Sequence, residues 1–244
     1  MRCSGAGPQE CAIALWDGIA ADVKRKPIKN MYIRIRSGGT VELSLPRRTS
    51  EEEARCFLLS HRDWIEKRRA EMAARPERIE QRYTTGETCY LWGEPLELVV
   101  KYGRGRYLAM RDGKRIMLHV KHTEAESTKE EREAVLYDFY RADLMRRAEE
   151  LRPRCEEIVG KRADEYRTRR MKTKWGVCNI TKKRIWLNSE LAKRSVDCLE
   201  YVLFHELTHL HERLHNVYFH ALMDAFCPDW RQRKERLNRE WESL

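Results

Sequence analysis

The stretch from Val196 to Leu214 is patterned for a helix with two unlike faces, and that requirement constrains the rest of the fold more than any other segment. Leu199, Leu203, Leu207, Leu210 and Leu214 fall on one arc, an apolar stripe that needs a core to bury it. His205 and His209 lie on another arc. Residues four apart stack one above the other on a helix, so both imidazoles can reach one metal ion from the same side. Glu206 is rotated about a third of a turn from His205, beside such an ion rather than on it. A general base belongs there if the ion is zinc, which lowers the pKa of a bound water to roughly 7. The competing reading is a solvated helix that happens to carry histidines.

A hydrolytic zinc takes three protein ligands and keeps one position open, so a third group is required. Five of the eight histidines lie between His205 and His220, and Asp224 follows closely. At about 100° per residue His211 points away from the metal face, and His215 also misses it if the helix runs on. His215 serves only if the helix ends near Arg213 or Leu214. Asn216 is a favoured N-cap type and could start a new helix at Val217, leaving His215 at the turn. His220 and Asp224 stay open as alternatives, and no glycine marks the break.

Several further stretches carry a resemblance. Met171-Lys172-Thr173-Lys174-Trp175-Gly176-Val177-Cys178, Ile185-Trp186-Leu187-Asn188, Tyr201 through Leu210, His215-Asn216, Phe219 and Pro228-Asp229-Trp230 together resemble the YgjP-like zinc metallopeptidases, minimal zincins related to the SprT-like group. Lys24-Arg25-Lys26 through Pro46 and the segment holding Trp64-Ile65 extend the similarity into the N-terminal half. The resemblance implies one zinc ion held by His205, His209 and His215, with Glu206 as base. It also implies an α+β fold: a zincin-like catalytic half, its active-site helix packed beside a small sheet, preceded by a β-hairpin-rich N-terminal half. One departure is Val177-Cys178-Asn179, where the family more often has Ser-Cys-Ser.

The N-terminal residues to about 12 read as a loose tail. Residues 13–244 read as a single domain, with a β-rich half over 13–122 and a helical catalytic half over 123–244. The charged cluster from Lys121 to Arg132 is the candidate junction, and nothing resembles a flexible tether or an internal repeat. Ile28–Ile35 and Val41–Leu45 predict a hairpin around Ser37-Gly38-Gly39. Thr49 or Ser50 before three glutamates predicts a helix to about Ala74. Two more hairpins are predicted around Gly93-Glu94-Pro95 and Asp112-Gly113. Ser127 should cap a long helix to about Glu150, continuing past Pro153 with a kink. Tyr166–Met171 and Arg184–Leu187 should be strands beside the active-site helix, and Lys174–Asn188 could supply an edge for a substrate strand.

Eight scattered cysteines without a C-x-x-C pair suggest reduced thiols, hence a cytoplasmic protein. The apolar run from Cys11 to Trp16 is too short for a secretory core or a membrane span. Net charge is +10. Arg167, Arg169, Arg170, Lys172 and Lys174 form one basic cluster, and Arg231, Arg233, Lys234 and Arg236 another. They could attract nucleic acid, a nucleotide or an acidic peptide, or could be ordinary solvated surface. Aromatic residues are not visibly interleaved with them.

Three functions follow. The first is a zinc metallopeptidase acting on a protein or peptide, in which water activated by the metal loses its proton to Glu206 and attacks a carbonyl. The second is a metal-dependent nucleoside triphosphate pyrophosphatase, an activity the resemblance also allows. The third is a basic nucleic-acid-associated module with a structural zinc, which would need a fourth protein ligand. Tyr201, Tyr218 and His220 are all candidates for stabilising an oxyanion.

Overall fold

The computed structural model describes residues 11–36, 38–73, 81–103, 105–121, 123 and 125–242. Backbone contacts divide the chain into two compact units, one ending at Arg78 and one beginning at Ile79.

The first unit is a four-stranded sheet with two helices. β1 (Cys11–Trp16) and β2 (Ile19–Lys26) form a hairpin, as do β3 (Tyr32–Ile35) and β4 (Val41–Pro46). The two hairpins join through parallel pairing of β2 with β4, giving the order β1-β2-β4-β3. Most of the expected loose tail lies outside the described residues, but its last two residues belong to β1. The missed signal was Asp17-Gly18, both with positive φ, a two-residue turn whose twist suits a hairpin. α1 (Glu51–Leu59) starts at Ser50, which forms a capping box with Glu53. The helix expected to run to Ala74 is broken: the Ser60 hydroxyl donates to the Phe57 carbonyl, and α2 (Arg62–Ala73) begins afresh. Val41, Leu43, Leu45, Leu58 and Ile65 are fully enclosed in this unit's core.

In the second unit the same strand path recurs. β5 (Thr88–Leu91), β6 (Glu94–Tyr102), β7 (Leu108–Asp112) and β8 (Arg115–Val120) form two hairpins joined by parallel pairing of β6 with β8, in the order β5-β6-β8-β7. This topological repeat has no counterpart in the sequence, because the alternation that specifies a strand face says nothing of residue identity. The long α3 (Lys129–Val159) is capped by Thr128 rather than Ser127 and ends at Gly160 in the left-handed conformation. Pro153 lies inside it. Leu136, Tyr140 and Leu144 of α3 share a core with Leu96, Leu98, Ile116 and Leu118 of the sheet. The division by contacts falls at Arg78/Ile79, ahead of the charged cluster at Lys121–Arg132, and α3 covers the apolar face of the sheet that precedes it.

Beyond α3 come β9 (Glu165–Arg169), β10 (Gly176–Asn179) and β11 (Arg184–Asn188), in the order β10-β11-β9. A short 3₁₀ turn over Ser189–Lys193 leads into α4 (Val196–Thr208), followed by α5 (Val217–Phe226) and α6 (Trp230–Glu242). The architecture is α+β, with α4 packed beside the small sheet. No helix among the described residues is long and apolar enough to cross a membrane.

Candidate metal centre

α4 sets the site through its two faces. Leu199, Leu203 and Leu207 are completely buried, which fixes the helix rotation and turns Tyr201, His205 and His209 toward a cleft. The helix ends earlier than the sequence suggested, at Thr208. Its last turn tightens: the His211 and Glu212 amides both donate to the Thr208 carbonyl, at 2.9 and 3.1 Å. The Leu214 amide then donates to Glu212 Oε1 at 2.8 Å, so the reversal needs no glycine. Asn216 caps α5 as expected, accepting from the Phe219 amide at 2.9 Å.

That reversal returns His215 to the two histidines of α4. The ligand atoms of His205, His209 and His215 all lie within 4.8 Å of one another. His205 Nε2 and His215 Nε2 are 3.0 Å apart. Tetrahedral zinc–nitrogen bonds of about 2.0–2.1 Å set their nitrogens about 3.3 Å apart, so the spacing suits a single small cation. His209 Nδ1 lies 3.0 Å from the Glu212 carbonyl, a contact that leaves Nε2 for the cluster. Phe219 forms the floor, its ring centroid 5.1, 4.8 and 4.8 Å from those of His205, His209 and His215. Burial, and secondarily the neighbouring His209 and His215, pushes His205 down to about 3; burial also lowers His209 and His215. All three shifts favour the neutral imidazole, the form in which histidine ligates a metal.

The alternative ligands are engaged elsewhere. Asp224 accepts from Trp230 Nε1 at 2.8 Å and pairs with Arg231. His220 stacks on Trp230 with centroids 5.6 Å apart, and His211 Nε2 lies 2.8 Å from the Val159 carbonyl. Among the described residues, His205, His209 and His215 are the one group of three or more side chains suited to hold an ion.

Glu206 is 4% exposed and lies under β10, one of the two edge strands of its sheet. A Cβ added to Gly176 would fall 2.5 Å from Glu206 Oε1 and 2.8 Å from its Cδ, so only glycine permits this approach. Burial raises the Glu206 carboxyl to about 8, opposed by the hydrogen bond from the Cys178 backbone and by the charge of Lys174. Burial also pushes the Cys178 thiol up to about 12, with Glu206 adding to the effect. The loop before β10 is held by fully buried Asn188. Its Nδ2 donates to the Met171 and Lys174 carbonyls at 2.9 and 2.8 Å, and its Oδ1 accepts from the Met171 amide at 3.1 Å. The cleft beside the histidines has a volume of about 820 Å³ and runs along residues 173–181.

Sequence reasoning missed the roles of Phe219, Asn188 and the Cys178 amide in this geometry; a glycine inside a strand was the available signal for Gly176. Of the oxyanion candidates, Tyr201 lines the cleft, Tyr218 is exposed and His220 is stacked away on Trp230. The basic clusters are partly neutralised within the chain. Arg170 pairs with Glu133 and Glu190, Arg233 with Asp229 and Glu200, and Arg236 with Asp197. One sequence reading is corrected here: Trp186 does lie among the charges, with Arg167 and Arg169 over its ring at 5.5 and 5.0 Å.

Neutral imidazoles gathered at one point, a buried carboxylate on the same helix and an open cleft alongside are the equipment of a metal-dependent hydrolase. The chain belongs to the YgjP-like family of metallopeptidase domains, whose model matches residues 29–240. Among solved structures it is similar to the metallopeptidase zymogen abylysin of Pyrococcus abyssi, at 20% identity and a TM-score of 0.36, over 38% of this chain and 93% of that one. No curated protein matches the chain significantly.

Proposed function

We propose that this protein is a zinc metallopeptidase in which His205, His209 and His215 hold one ion and Glu206 is the general base. The observation that carries the reading is the return of His215 to within 3.0 Å of His205, beside a carboxylate buried under a strand edge. Zinc, when bound, supplies an acidified water and a polarised substrate carbonyl. Glu206 takes the proton at a carboxylate oxygen and hands it to the departing amine. Burial places its affinity for a proton near neutrality, where taking and giving are both feasible. The Cys178 amide and the bare backbone at Gly176 keep that carboxylate in place. β10 lies at an edge of its sheet and, apart from the Cys178 amide that Glu206 engages, offers backbone groups along which an extended peptide can lie.

A structural zinc would call for a fourth protein ligand, and the described residues gather three histidines. The family match crosses both compact units, which supports treating residues 13–244 as one functional domain. The scatter of the eight cysteines, with no C-x-x-C pair, supports a reducing, cytoplasmic setting. The deciding experiment compares zinc-loaded and chelator-treated protein on a peptide panel and on nucleoside triphosphates. Zinc-dependent peptide cleavage is the expected result; pyrophosphate release without any peptide cleavage would overturn the reading in favour of a pyrophosphatase.

A further inference from the structure

The charges around the cleft are one-sided. Apart from Glu206, whose carboxylate is buried and assigned to proton transfer, the charged side chains other than histidine that line it are Lys174 and Arg213. Neither has an ion-pair or side-chain hydrogen-bond partner among the described residues, although this chain neutralises most of its neighbouring arginines. Lys174 immediately precedes the β10 edge and is close enough to influence Glu206 electrostatically. Arg213 lies in the reversal two residues before His215. The two cations thus reach the cleft from different segments, one from the loop before β10 and one from the reversal that carries His215. Glu212, the nearby carboxylate, is turned to the Leu214 amide at 2.8 Å.

An unpaired cation facing a cleft with low-dielectric walls concentrates anions there and disfavours cationic ligands. Resting on the peptidase reading, we propose that Lys174 and Arg213 determine specificity and select peptides carrying aspartate or glutamate close to the scissile bond on both sides. The carboxylates of such a peptide would take the places that Asp and Glu of the chain leave empty. A peptide with lysine or arginine there would meet like charge.

The test uses full-length, zinc-loaded protein and three labelled decapeptides of one sequence, flanked by glutamate, glutamine or lysine. Cleavage is followed with the wild type, and binding with the Glu206→Gln variant. The glutamate peptide should be bound and cleaved at least about tenfold better than the glutamine one at low salt, and the lysine peptide least well. Raising ionic strength should shrink the difference. Lys174→Glu with Arg213→Glu should reverse the order while zinc content and circular dichroism stay unchanged. Equal binding of the three peptides, or a ranking untouched by the charge reversal, would overturn the proposal. Binding of a nucleoside triphosphate in place of the glutamate peptide would overturn it too, assigning the cations to phosphate. A glutamate preference in binding with no peptide cut by the wild type would sink the peptidase reading and leave the charge selection standing.

Discussion

Gly176 and Glu206 are in direct apposition: the carboxylate of α4 occupies the space where any other residue at position 176 would carry its Cβ, 2.5 Å from Oε1. The edge strand and the proposed base are therefore one mechanical unit. Gly176→Ala must push either the strand or the carboxylate aside. Activity should fall by about a hundredfold, the usual effect of an ångström's displacement of a reacting group. Zinc content, read by atomic absorption, should not change, since the histidines are untouched.

Glu206→Gln keeps the shape of the side chain and removes its capacity to accept a proton. Turnover should drop by about 10² to 10⁴, the range for loss of a positioned acid–base group, with zinc still bound. Steady-state kinetics and metal analysis on one preparation settle the matter; full activity in this variant would end the general-base assignment.

His215 is the one proposed ligand that comes from a turn rather than from the helix. Its replacement by alanine should weaken zinc binding by about a hundredfold or more, at or beyond the upper end for loss of an outer supporting group. Zinc should also raise the melting temperature of the wild type, by an amount corresponding to about 2.7 kcal/mol at 100 times Kd, and much less in the variant. Competition with a calibrated chelator measures the first effect and calorimetry the second.

Asn188→Ala removes one side chain that satisfies three backbone groups of residues 171–174. Leaving several buried polar groups unpaired should cost about 2–4 kcal/mol. Hydrogen exchange should rise first in the loop before β10, and peptide hydrolysis should weaken with it.

Glu42 supplies a pH-dependent contribution in the first unit. Its hydrogen bonds from Lys24 and then Arg36 hold the carboxyl down to about 2, against an ordinary 4.5. A depressed folded-state pKa means stabilisation that is complete above about 4.5 and is lost as pH falls through about 2. Glu42→Gln should be less stable than the wild type at neutral pH, and the gap should close over that interval. Thermal melts of both proteins across the acid range would show it; a gap independent of pH would refute the assignment.

What the sequence revealed was mainly what local chemistry decides. The leucine stripe of α4, the Asn216 cap and the hairpins at Gly38-Gly39, Gly93 and Gly113 each follow from residues close in the chain. The hidden parts depend on partners far away. β10 is four residues long with a glycine at its head, and its position over α4 is set by contact with a glutamate thirty residues later. The break after Leu59 turns on a serine hydroxyl competing for a carbonyl, a local event that the apolar pattern does not register. The place where the chain turns before His215 was hidden for the same reason: a tightened turn after Thr208 and a Glu212 contact make the reversal with no glycine to announce it.

The repeated strand path has a kinetic consequence. Hairpins such as β1/β2 and β5/β6 join residues that are near neighbours in sequence, and units of that kind close in about 1–10 μs. The parallel seams, where Ala21 meets Val41 and Glu97 meets Arg115, form only after a longer stretch of chain has been confined. Each sheet is thus two quick halves waiting on one slow seam. In the second unit the helix that covers the seam is encoded directly after it, so a chain emerging in order completes β8 and is given its cover next.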